Sequence, residues 1–169
     1  MKKIGFVIFV ISLMTCPVQA QTQTKFNAGI GIGLDYGGFG ARLAYLPEKH
    51  FALFGGLGYN LNSVGYNAGA NIRLTPDKRV VPYLTGMYGY NAVMIVTGAL
   101  EKKTTYYGPS AGAGIEIPSR GGRSFWNIEL LAPFRPSAYQ DDIDDLKTSG
   151  AKVTEALPVA ICIGYHFRF

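Results

Sequence analysis

A period of two governs this chain. Phe26, Ala28, Ile30 and Ile32 alternate with Asn27, Gly29, Gly31 and Gly33, and the last nine residues, ICIGYHFRF, set Ile161, Ile163, Tyr165, Phe167 and Phe169 against Cys162, Gly164, His166 and Arg168. Successive side chains of an extended strand point to opposite faces, so each segment has one apolar, aromatic face and one small or polar face. The pattern predicts strands over 26–36, 39–46, 51–61, 64–74, 80–92, 105–117, 125–134 and 157–169. No stretch of comparable length has a 3.6-residue period, which leaves helix a minor component at most. The first strand, taken to residue 36, puts Leu34 and Tyr36 on the apolar face. In the fifth, Tyr83 and Met87 lie on one face and Leu84, Tyr88 and Tyr90 on the other, so its facing stays open.

Eight such strands close into a barrel with the apolar face inside, for water, or outside, for lipid. The second face decides. It is made mostly of Gly, Asn and Ala, with charge confined to Arg42, Arg73, Glu116, Glu129 and Arg168. That is a poor water-facing exterior and a good filling for a narrow lumen. Tyr, Phe and Trp gather near strand ends on the apolar face, where membrane–water interfaces would meet them. The expected fold is therefore all-β, an eight-stranded antiparallel up-and-down transmembrane β-barrel. Its lumen is expected to hold a polar network of Arg42, Arg73, Glu116, Glu129, His166 and Arg168, because unpaired charge there is costly. The segments at 47–50, 75–79 and 118–124 are short and charged, as periplasmic turns are; Gly37-Gly38, Asn62-Ser63, 93–104 and 135–156 fall at the opposite end. The even strand count returns the C-terminus to the side of the N-terminus.

The amino end fits an exported chain. Met1 to Ala20 has Lys2 and Lys3, an apolar block from Ile4 to Met14 and a Val18-Gln19-Ala20 close, which reads as a signal peptide followed by one barrel domain over 21–169. Cys16 sits in a stretch, LMTC, that fits a lipidation signal poorly because Thr15 replaces the usual small residue. Cleavage leaves Cys162 alone, so no intramolecular disulfide forms. The formal charge of +5 falls by two, to +3, when Lys2 and Lys3 leave, and the remaining bases are scattered through short turns. No nucleic-acid partner is expected from so scattered a set of bases.

These features resemble the small outer-membrane β-barrel proteins of Gram-negative bacteria, the group that includes the OmpA transmembrane domain and OmpX. The C-terminal LPVAICIGYHFRF is similar to that group's assembly signal, carried here by Ile163, Tyr165, Phe167 and Phe169. The string FALFGGLGYNLNSVGYNAGANIRLTPDKRVVPYLTGMYGYN resembles the outer-membrane β-barrel domain family common in Bacteroidota. The resemblance implies a cell outer membrane location with both termini in the periplasm, assembly by the barrel assembly machinery, and contact with outer-membrane lipid and lipopolysaccharide. It implies a monomer with a structural or surface-interaction role, whose external ligand is unidentified. A small pore or transporter for small solutes is the alternative, and a lipid A-modifying enzyme a third.

Candidate chemistry is sparse. Lipid A deacylases and palmitoyltransferases resemble this architecture and pair a His with a Ser, but His166 lies three residues from the chain end and His50 in a short turn, both far from the outer leaflet. No enzymatic activity, cofactor or metal site is expected. The segment QDDIDDLKTSG gathers Asp141, Asp142, Asp144 and Asp145 without the Gly and Glu of a calcium-binding EF-hand loop. It reads as a solvated acidic outer loop, as a short helix with Asp at its positive end, or as a weak divalent-cation chelator beside lipopolysaccharide phosphates.

Overall fold

The computed structural model describes residues 25–96, 102–148 and 157–169. The expected signal peptide, Cys16 and the tips of the two long loops lie outside those residues. Eight strands follow one another: β1 (Phe26–Gly33), β2 (Gly38–Glu48), β3 (Phe51–Tyr59), β4 (Val64–Arg73), β5 (Val81–Val96), β6 (Lys102–Pro118), β7 (Ser124–Pro133) and β8 (Ala160–Arg168). Each pairs antiparallel with the next, and β8 returns to β1 with Asn27 opposite Arg168 and Ile32 opposite Ile163. The sheet is a closed all-antiparallel barrel, as the alternation predicts, and within the barrel wall each strand is paired on both sides.

The two faces are sorted as the pattern requires. Ile30 is 64 % exposed on the outside, whereas Asp35 and Glu129 are 0 % exposed on the inside. Aromatic side chains ring the exterior at both ends. Phe39, Tyr59, Tyr66, Tyr88, Tyr107 and Phe134 stand towards the end that carries the long loops, with Tyr66 and Tyr107 stacked at 4.8 Å. Phe26, Tyr45, Phe51, Trp126, Tyr165, Phe167 and Phe169 stand towards the end of the short turns and termini, with Trp126 and Tyr165 at 4.9 Å. Between the rings the outside is aliphatic: Ile30, Leu43, Leu57, Leu84, Leu130 and Ile163.

The facing left open in β5 is resolved here. Val81, Tyr83, Thr85 and Met87 point inward and are buried, while Leu84 and Tyr88 face out. A register shift between Tyr90 and Ala92 ends the simple alternation. Beyond it β5 and β6 continue as a long hairpin, so much of the expected 93–104 loop is strand. Helix α1 (Ser137–Thr148) docks on that hairpin, burying Tyr139 and Ile143 against Ala92 and Tyr106.

One expectation fails. Leu34 to Tyr36 do not continue β1 with Leu34 and Tyr36 on the outer face; they form a single 3-10 turn folded into the barrel, where Tyr36 and Asp35 are fully buried. Gly37, at φ 70°, reverses the chain after it, its N–H bonded to the Leu34 carbonyl at 2.9 Å. The inward fold needs empty space, and Gly31 and Gly164, paired across the β1–β8 seam, supply it by letting the Tyr36 ring lie on bare backbone. A Cβ on Gly31 would stand 2.6 Å from that ring.

Gly31→Ala is therefore expected to lower stability by about 1–3 kcal/mol, the usual cost of overpacking. Gly121→Ala, in a turn where an added Cβ meets nothing within 4 Å, should leave the unfolding midpoint in detergent micelles unchanged.

Candidate functional site in the barrel lumen

The lumen is held by polar contacts that begin at the inward turn. Arg42 of β2 gives Nη1 to Asp35 Oδ2 at 2.6 Å and lies 3.6 Å from Glu129 Oε2 of β7. Its guanidinium sits 3.7 Å over the Phe54 ring. With the Asn71 amide turned to satisfy its surroundings, its oxygen accepts from Arg42 Nη2 at 2.8 Å and its nitrogen donates to Thr85. Glu129 Oε2 also accepts from Tyr83 Oη at 2.7 Å. The Tyr83 hydroxyl in turn meets Asn127 Nδ2 at 3.5 Å, and Asn127 Oδ1 accepts from Tyr36 Oη at 2.6 Å. Tyr36 Oη lies 2.5 Å from His166 Nε2, and His166 Nδ1 lies 3.1 Å from Asn27 Oδ1. This run crosses the lumen from Asn27 to Asp35, and residues 35 and 36 belong to the same turn.

A second ionic group lies nearer the short turns. Arg73 grips Glu116 with two hydrogen bonds, 3.0 Å from Nε and 2.8 Å from Nη2, and gives Nη1 to the Lys49 carbonyl at 2.9 Å. Arg168 Nη2 meets the same Glu116 carboxylate at 3.1 Å. Phe125 joins the two groups, its ring stacked on His166 at 4.8 Å and lying 4.6 Å from the Arg168 guanidinium.

All six residues expected in the lumen thus point inward, in two groups joined by Phe125. The sequence reading missed Asp35, which lends the network its third carboxylate and balances Arg42, Arg73 and Arg168 against Asp35, Glu116 and Glu129. It also missed Tyr36 and Tyr83, the first hidden by the turn and the second by the ambiguous strand. Cys162 lies against Asp35 and packs in one apolar cluster with Leu34, Ala44, Phe54, Met87 and Leu131. Among the ionic groups lies a pocket of about 20 Å³, bounded by Asn27, Arg42, Asn71, Glu116, Asn127 and His166 among others, room for roughly one water.

The other expected sites fall elsewhere. Ile163, Tyr165, Phe167 and Phe169 occupy the outer face of β8 and its end, where Phe169 N donates to Phe26 O at 2.9 Å and completes the seam. The acidic segment is helical, but the expectation of Asp at the helix's positive end is wrong: no acidic residue stands in the first turn, because the helix starts four residues earlier, at Ser137. Asp142 accepts a hydrogen bond from Tyr106 on the hairpin, and Asp141, Asp144 and Asp145 are exposed. The spacing of Tyr139, Ile143 and Leu146 carried the helical signal. Among the described residues no group of three or more His, Cys, Asp or Glu could hold a metal ion.

Breaking a buried pair leaves its partner charge uncompensated, so Arg42→Met should cost about 3–5 kcal/mol. The exposed Lys49–Asp77 pair is the contrast. Its 2.7 Å hydrogen bond from Lys49 holds the Asp77 carboxyl below its ordinary value. The linked stability is present above the unfolded pKa and fades as pH falls through the folded one, but solvent screens it. Lys49→Ala should therefore leave the acid-unfolding curve unshifted, and superposition of its curve with the parent's checks this.

No family model matches the chain, and no curated protein matches it. Among solved structures it is similar to the N-terminal β-barrel domain of Pseudomonas aeruginosa OprF, with a TM-score of 0.57 over 87 % of this chain and 98 % of that one, at 13 % sequence identity. At that identity the likeness is one of fold.

Proposed function

We propose that the chain is an integral outer-membrane barrel with a structural and surface-presenting role and a lumen that does not conduct. The observation that carries this reading is the inverted distribution of polarity. Apolar side chains cover the outside between two aromatic rings, and the paired ions are inside, the arrangement a bilayer demands and water forbids. The likeness of fold to the OprF barrel domain supports the architecture. The signal peptide over 1–20, the periplasmic setting of both termini and short turns, the monomeric state, and contact with lipopolysaccharide at the long-loop end belong to the same proposal.

The filled lumen favours the structural role over a pore. Two ionic groups and a buried apolar cluster fill the lumen, and an ion passing them would have to break buried pairs. His166 is a packing and hydrogen-bonding residue in this reading, since Tyr36, Asn27 and Phe125 occupy its surroundings. Purified protein in planar bilayers should therefore show no steady conductance; a reproducible open level would overturn the plug. Membrane fractionation tests location, and recovery in the soluble periplasmic fraction without detergent would overturn the barrel's setting.

The C-terminal strand supplies one more expectation. Phe169 closes the β1–β8 seam, stacks 6.3 Å from Phe26 and carries the terminal aromatic of the proposed assembly signal. Phe169→Ala should lower the fraction of assembled barrel in outer membranes several-fold, read by protease resistance, while purified refolded protein loses far less.

A further inference from the structure

At the long-loop end the barrel opens into a cavity of about 520 Å³, well within the range of roughly 300–1,000 Å³ usual for small-molecule sites. Its walls are mostly apolar: Leu34, Ala92, Val93, Pro133, Val159 and Ala160 among them. Three polar side chains also line it, Asn60, Asn91 and Arg135, and each keeps an atom without a partner.

Those three atoms are specific in sign. Asn91, 2 % exposed, spends its Nδ2 on the Pro109 carbonyl at 3.0 Å and on Ser110 Oγ at 3.1 Å, which fixes the amide and leaves Oδ1 as an unused acceptor. Asn60, 3 % exposed, spends its Oδ1 on the N–H groups of Asn62 and Ser63 at 3.2 and 2.8 Å, leaving Nδ2 as an unused donor. Arg135 gives Nη2 to the Leu157 carbonyl and lays its guanidinium 5.1 Å from the Tyr139 ring. It meets no carboxylate among the described residues, and its Nε is unused. Buried groups of this kind are stabilised by whatever supplies the missing partner.

We infer that the mouth cavity binds a hydroxylated fatty acid, one acyl chain bearing a carboxylate and a nearby hydroxyl. The carboxylate answers the Arg135 guanidinium, the ion pair best suited to that side chain. The hydroxyl donates to Asn91 Oδ1 and accepts from Asn60 Nδ2, a combination that a plain carboxylate or an alkane cannot satisfy. The acyl chain lies along the apolar wall. Leu34, Tyr90 and Ala160 line the cavity and pack with the cluster of Met87, Leu131 and Cys162, so the site holds its ligand and does not pass it through. This adds a ligand to the proposed structural role without requiring the barrel to conduct.

The test uses the full mature chain in lipid nanodiscs, titrated with 3-hydroxydecanoate, with decanoate and with 1-decanol, each against empty discs to remove bilayer partitioning. Side-chain amide resonances of Asn60 and Asn91 report the contact directly, and calorimetry reports affinity. The expected result is saturable binding above the empty-disc background, with both amides shifting and 3-hydroxydecanoate preferred. Arg135→Gln should weaken binding at least tenfold, and Asn91→Leu should abolish the preference over decanoate. Val159→Trp, at the half-exposed rim where folding is not at stake, should block the cavity and supplies the test if either buried variant fails to fold. Binding no greater than to empty discs, binding indifferent to Val159→Trp, or equal affinity for decanoate would overturn the assignment.

Discussion

The contact on which the lumen depends is Arg42 held between Asp35 and Glu129. A guanidinium with almost no exposure needs more than one acceptor, because burying the ion costs far more than a single hydrogen bond returns. β7 supplies one carboxylate from the barrel wall. The other comes from a turn that has to leave the wall to deliver it, and this explains why the β1–β2 connection folds inward when an ordinary hairpin would have stayed at the rim. Tyr36 travels with Asp35, and its hydroxyl then organises Asn127 and His166 on the far wall. One electrostatic requirement thereby fixes the turn, the rotamers of three strands and the emptiness of the backbone beneath them.

The glycines are the other half of the same arrangement. An eight-stranded barrel has an interior only wide enough for side chains from its own wall, so an extra turn fits only where wall residues carry none. Gly31 and Gly164 underlie Tyr36, and the Gly56 backbone underlies the Asp35 carbonyl. Read along the strand these glycines look like interchangeable small residues. Seen from the lumen they mark the volume of the plug.

What the sequence made legible follows the same division. The alternation of Ile161 through Phe169, repeated in seven other segments, was enough for strand number, closure and the facing of nearly every residue, because a period of two is a local property of the chain. Arg42, Arg73, Glu116, Glu129, His166 and Arg168 could be assigned inward by parity alone. Parity says nothing of partners, however, and Asp35 escaped because an unbroken alternation from Phe26 to Tyr36 hid a turn whose cause, Arg42, lies in the next strand. The two cavity amides, Asn60 and Asn91, were equally hidden: one occupies a loop, the other a register shift, and both are places where the period fails.

The long hairpin and α1 give the mouth its shape. Tyr88 and Tyr107 mark the loop-end aromatic ring, yet β5 runs on to Val96, which carries it roughly 20 Å further along the barrel axis at the rise and tilt of barrel strands. A two-stranded ribbon of that length is marginal without cover. Tyr139 and Ile143 of α1 provide the cover against Tyr106 and Ala92, with Tyr106 and Tyr139 edge to face at 5.2 Å. The same helix holds Arg135 through the Tyr139 ring. The residues that stiffen the hairpin therefore also set the Arg135 guanidinium that lines the cavity, so the rigidity of the protruding hairpin and the chemistry of the mouth rest on one helix–hairpin contact.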